Sequence, residues 1–118
     1  MAQQNLFKII SAESASGTTG IVADIKSGGT GATWTKNSRE TAIYVVWSAG
    51  TSAGVVTVET AHDATYAGTW ANLATDTWSA VSSVDVVQIT GVMAALRVRI
   101  STAIVGGTVD VWALSDWR

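Results

Sequence analysis

Along residues 94–101 apolar and charged positions alternate, with Leu96, Val98 and Ile100 on one side and Arg97 and Arg99 on the other. A strand sends successive side chains to opposite faces, so this segment reads as a half-buried strand. Residues 84–91 before it and 108–114 after it are also rich in strand-forming residues, and glycine-marked turns separate the three runs. Residues 41–48 form the strongest single strand, and both of its faces are apolar: Ile43, Val45 and Trp47 against Tyr44 and Val46. Such a strand sits centrally with both faces covered. A small sandwich has only one core, so the second face is expected to be buried by another subunit.

The rest of the chain divides into short runs. Residues 6–12 are an apolar run, read as a strand or an arm that pairs with a neighbour, and 13–20 a polar loop. Residues 21–26 read as a strand, 27–31 as a flexible turn, 32–35 as an extension into another strand, and 36–40 as a polar turn. The run 55–60 reads as a strand forming a hairpin with 41–48 across the turn Gly50–Gly54. Residues 61–68 are a loop, 69–74 a short strand and 75–79 a connection. No segment carries a capped helical period. About eight or nine short strands with Gly, Ser and Thr turns indicate an all-β fold, an antiparallel β-sandwich or jelly-roll-like single domain. Residues 21–118 are its expected body, and 1–20 an N-terminal arm or edge strand with a polar loop. A last hairpin about Thr102–Gly107 would pair Val98 with Val111, Ile100 with Val109 and Leu96 with Ala113. Its other face would set Arg99 against Asp110 and Arg97 against Trp112.

Composition sharpens this picture. The 118 residues are 47% hydrophobic and only 14% charged, with net charge -2. That balance excludes a disordered chain and gives no electrostatic footprint for nucleic acid. Little surface is covered by ions, which fits a chain whose surface is covered by another chain. Cysteine is absent, so disulfides, thiolate nucleophiles and Cys-ligated metals are excluded. No secretory leader and no apolar run of membrane-spanning length is readable, so no membrane partner is expected. There are six tryptophans. Trp prefers sites with one apolar and one polar end, interfaces among them. Trp47 and Trp70 are assigned to the core; Trp112, outward in the proposed register, and Trp117, in the tail, are assigned to contacts.

Candidate chemistry is thin. Gly50-Thr51-Ser52-Ala53-Gly54 matches the nucleophile-elbow pattern, which needs a strand-to-helix turn. Here strands flank it on both sides, and His62 stands directly beside Asp63. His62 and Asp63 with Asp76 or Glu59 would make a metal site with a single His and no Cys. The glycines of 27–31 lack the Gly-Lys-Ser/Thr that a phosphate loop requires. No catalytic, cofactor-binding or metal residue is assigned, and no enzyme activity is expected. The interface candidates are Leu6, Phe7, Ile9, Tyr44, Trp112 and Trp117.

From Gly54 to Leu114 a distinctive order appears. It runs through Val55-Val56-Thr57-Val58-Glu59, a loop with Asp63, and Gly68-Thr69-Trp70-Ala71-Asn72-Leu73. Val86-Val87-Gln88-Ile89-Thr90-Gly91, Ala94-Ala95-Leu96-Arg97-Val98-Arg99 and Gly106-Gly107-Thr108-Val109 follow. This resembles the small β-sandwich virion proteins of tailed bacteriophages, especially the head decoration (cement) proteins. The resemblance implies a homo-dimer or homo-trimer that clamps the major capsid protein on the capsid surface of the virion, after synthesis in the host cytoplasm. The same pattern is similar to carbohydrate-binding β-sandwich modules of phage tails or adhesins, the alternative expectation. It carries over no fixed functional residues.

Overall fold

The computed structural model describes residues 3–24, 40–63, 65–80, 83–90 and 95–117, with only the backbone described at 3–5, 7, 21–24, 40 and 115–117. The readings of 27–31 as a turn and 32–35 as strand lie outside the described residues. Eight strands follow in chain order: β1 (Gln3–Glu13), β2 (Thr19–Asp24), β3 (Glu40–Trp47), β4 (Ala53–Ala61), β5 (Ala71–Thr77), β6 (Val84–Thr90), β7 (Ala95–Val105) and β8 (Val109–Trp117). They form two four-stranded sheets, β1-β8-β3-β6 (sheet A) and β2-β7-β4-β5 (sheet B). Every paired neighbour is antiparallel. This interleaved order is that of a jelly roll, in which every consecutive pair of strands but β4 and β5 changes sheet.

Alternation builds the core. Ile43, Val45 and Trp47 of β3, Val109, Val111 and Ala113 of β8, Leu96, Val98 and Ile100 of β7, and Val56 and Val58 of β4 are all buried between the sheets. Each fully buried aliphatic side chain contributes about 1.5–3 kcal/mol relative to exposure. Ile10 and Ile89 extend this core along the edge strands of sheet A. The Trp47 indole N–H donates to Asp85 Oδ2 at 2.9 Å, which lets a Trp sit in an apolar layer without an unpaired donor.

Two expected hairpins are instead crossings between sheets. β3 belongs to sheet A and β4 to sheet B, while β7 belongs to sheet B and β8 to sheet A. Arg99 therefore lies on the outer face of sheet B against Glu59, and Asp110 on the outer face of sheet A against Lys8. The expected β7–β8 register is rejected. The alternation is satisfied equally by a hairpin and by a corner. Both bury Leu96, Val98 and Ile100 together with Val109, Val111 and Ala113.

The two corners touch each other. Gly106, at φ 83°, lies so close to Gly50 that a Cβ on it would clash with the Gly50 carbonyl oxygen. Thr108 N–H donates to Ser48 Oγ at 2.9 Å, tying the loops together.

Other boundaries shift. β5 begins and ends later than the expected 69–74 strand, and Thr75 to Thr77 belong to it. Trp70 is buried as expected but lies outside the core, under the Arg97 guanidinium at 4.4 Å on the outer face of sheet B. Its indole N–H donates to the Tyr66 carbonyl. The cation–π contact expected between Arg97 and Trp112 is thus made with Trp70, and Lys8 takes the place over Trp112 at 4.9 Å.

Candidate interaction surface

The outward side chains of sheet A form rows that can be read from the ladders. Leu6 of β1 pairs with Leu114 of β8, which pairs with Ala42 of β3. The next row is Lys8, Trp112, Tyr44 and Val86. The third is Asp110, Val46 and Val84. An apolar band thus crosses the sheet from Leu6 to Val84. Leu6, Val84 and Val86 are 59%, 51% and 50% exposed. Tyr44, Val46, Trp112 and Leu114 beside them are half-buried. Together with Leu6 and Val84, these four residues line a shallow apolar depression of about 310 Å³.

Four strands about 4.8 Å apart give a face about 19 Å wide, and the apolar band covers on the order of 300–400 Å² of it. Apolar patches of that size are the largest found on a typical monomer and are often functional. The band is bordered by polar groups at two corners: Gln88 of β6 opposite Ala42, and Lys8, whose Nζ lies 3.8 Å from Asp110 Oδ1 and over the Trp112 ring.

The outer face of sheet B is its opposite. Thr57 and Glu59 of β4 face outward, yet both are buried. Arg97 Nε donates to Glu59 Oε1 at 2.8 Å, and Arg99 Nη2 to Oε2 at 3.0 Å. Burial works against the Glu59 carboxylate, but the hydrogen bonds and charges of Arg99 and Arg97 outweigh it and hold its pKa below the usual value. Thr57 Oγ1 donates to Ser101 Oγ at 2.8 Å. Among the described residues its centre is thus filled by polar side chains bonded to one another, while Leu73 of β5 and Val105 of β7 are exposed.

The interface candidates therefore separate. Leu6, Tyr44 and Trp112 come together on the apolar face of sheet A. Ile9 does not: a bulge in β1 between Lys8 and Ile10 turns it so that it packs against the core, half-buried. Phe7 and Trp117 enter the β1–β8 ladder opposite Ala113 and Gln3, and their side chains lie outside the described set. Val46, Val84, Val86 and Leu114 were not among the candidates. Val84 and Val86 could not be oriented from β6 alone, because Asp85, Val87 and Ile89 are an equally strand-like alternate set.

The other residues singled out in the sequence lie in corners and loops. The Ser52 hydroxyl donates to the Val105 carbonyl at 3.3 Å within the corner. His62 packs on Tyr66, ring centres 5.0 Å apart. Asp63 accepts from the backbone and hydroxyl of Thr65, an Asx-type turn.

The sequence matches no protein-family model, and no curated protein is significantly similar to it. Solved structures are similar in fold. The SPBc2 prophage-derived protein YomS superposes with a TM-score of 0.63 at 8% identity, over 98% of this chain and 95% of YomS. A protein of Bacillus endospore appendages, which form a family of disulfide-linked pili, gives 0.55 at 12% identity, over 98% of this chain and 87% of its own. At these identities the likeness is one of fold.

Proposed function

We propose that this chain is a structural subunit of a phage particle, a homo-oligomeric head-decoration protein that acts by burying the outer face of sheet A. The observation that carries the reading is the contrast between the two outer faces. Among the described residues, the centre of sheet B pairs Glu59 with Arg97 and Arg99, whereas the centre of sheet A leaves Leu6, Val84 and Val86 at least half exposed around Tyr44 and Trp112. Burial of apolar area returns about 25 cal/mol per Å², so a face of this size contributes several kcal/mol when covered. It supplies only about half of the roughly 800 Å² per partner of a standard interface. A particle that presents neighbouring copies side by side provides the remainder through edges and corners.

The fold likeness to a prophage-derived protein and to a subunit of an appendage assembly supports this reading. Disulfide linkage is not open to these 118 residues, which contain no cysteine, so cohesion rests on packing and strand edges. The mechanism involves no turnover. Mixing the purified chain with undecorated phage heads tests the decoration role: co-sedimentation at a fixed copy number per capsid subunit is expected. Its absence, with the chain folded, rejects that role.

A further inference from the structure

Each sheet has two edge strands, β1 and β6 in sheet A and β2 and β5 in sheet B. A strand edge is a row of unpaired N–H and C=O groups, and proteins blunt it with bulges, lysine or proline. Three of the four edges are blunted. β1 breaks register with β8 twice and carries Lys8 and the left-handed Ala12. β2 breaks register with β7 between Ile21 and Ala23, and β5 with β4 between Val58 and Glu59. β6 pairs with β3 residue for residue from Val84 to Thr90, and its sequence holds no Lys, Arg or Pro. Its one charged residue, Asp85, is turned away from the edge and accepts the Trp47 indole N–H at 2.9 Å. Among the described residues no strand pairs with the other side of β6.

The ladder fixes which groups lie on that side. The Trp47 backbone N–H donates to the Ser83 carbonyl at 2.9 Å. Bonded and non-bonded pairs alternate along an antiparallel ladder, so Ser83, Asp85, Val87 and Ile89 direct their backbone groups to β3. Val84, Val86, Gln88 and Thr90 direct theirs to the edge. Their side chains are on the outer face, so the apolar band of sheet A runs out to this edge through the half-exposed Val84 and Val86.

We propose that β6 pairs antiparallel with β6 of a second copy about a two-fold axis at Val86, joining the two A sheets into one. This deepens the reading of the chain as a particle subunit, on which it rests. Val86 then faces its own copy and Val84 faces Gln88 of the partner subunit, each pair exchanging both of its free backbone bonds. The row Lys8, Trp112, Tyr44, Val86 runs straight into the same row of the copy. Sliding the strands by two residues one way sets Val84 against Thr90 and breaks the band. Sliding them the other way takes Gln88 out of the overlap. Two faces joined at this edge present twice the apolar area of one, close to the roughly 800 Å² per partner of a standard interface.

The test is light scattering of wild type and Val86→Pro at matched concentrations, with circular dichroism as the check on fold. The Val86 N–H faces the edge, so proline there takes no bond from the β3 ladder but removes one from the seam. Wild type is expected to be a dimer and V86P a monomer of unchanged fold. A wild-type trimer overturns the two-fold edge, as does a V86P that assembles like wild type. Either result beside a monomeric Tyr44→Thr, Val84→Thr, Trp112→Thr variant leaves the apolar face as the interface without the edge. If V86P does not fold, Val86→Cys decides, because the chain has no other cysteine. Residues opposed in a bonded pair have Cα atoms about 5.5 Å apart, within disulfide range. Under mild oxidation V86C is expected to form covalent dimer about tenfold or more faster than Leu6→Cys, at the opposite edge of the sheet. Equal rates overturn the proposal.

Discussion

The Ala12 backbone N–H donates to the Asp110 carboxylate at 2.6 Å, and this bond holds a bulge at the end of β1. Ala12 has φ 49°, the left-handed region that costs a residue with a Cβ about 1 kcal/mol. The bulge is also where β1 stops following the β8 register, between Ile10 and Glu13. Ala12→Gly should therefore raise stability by about 0.5–1 kcal/mol in denaturant unfolding. Asp110→Ala should lower it by about 1 kcal/mol through the lost acceptor, with little further loss from the half-exposed Lys8 pair.

Glu59 is held by two arginines at the centre of the outer face of sheet B. Replacing it with Ala leaves both guanidiniums without their anion and should cost about 2–3 kcal/mol. Glu59→Gln should cost less, because the amide oxygen still accepts one of the bonds. Thermal unfolding of the two variants beside wild type checks the order.

Stability should pass through a maximum on the acid side of neutrality. The folded Glu59 carboxyl holds its proton less tightly than the ordinary value of 4.5, so its contribution is full above that value and is lost as pH falls through the lowered pKa. Asp76 acts in reverse. Its folded value of about 7 lies above the ordinary 3.8, so its contribution is full below 3.8 and is lost as pH rises towards 7. The unfolding midpoint should decline on both sides, with E59Q flattening the acid limb and D76N the limb towards neutrality.

Leu96 is fully buried, whereas Val84, equally apolar, is 51% exposed. Leu96→Ala should cost about 2–5 kcal/mol, from transfer and the cavity left behind. Val84→Thr should change monomer stability by less than about 0.5 kcal/mol. The pair distinguishes a core residue from a surface one by a single unfolding series.

That distinction marks what the sequence could carry. Alternation identified the inward residues of β3, β7 and β8, because a one-residue slip would bury Arg97 and Arg99. It did not say which sheet each strand joins. A corner and a hairpin have the same inward set, so Arg99 was set against Asp110 instead of Glu59. Trp70 was read as core because a buried Trp under an arginine on an outer face has the same composition signal as one between sheets. Tyr44 and Trp112 were legible as surface residues through the doubly apolar β3 and the outward position of Trp112. Their neighbours Val84 and Val86 were not, since β6 is apolar on both alternations and only its pairing with β3 orients it.

The most direct measurement is light scattering on the purified chain across a concentration series, beside a Tyr44→Thr, Val84→Thr, Trp112→Thr variant of unchanged fold by circular dichroism. The account predicts a dimer or trimer for wild type and a monomer for the variant. A wild type that stays monomeric throughout, or a variant that assembles as wild type does, would contradict the assignment of the sheet A face as the interface.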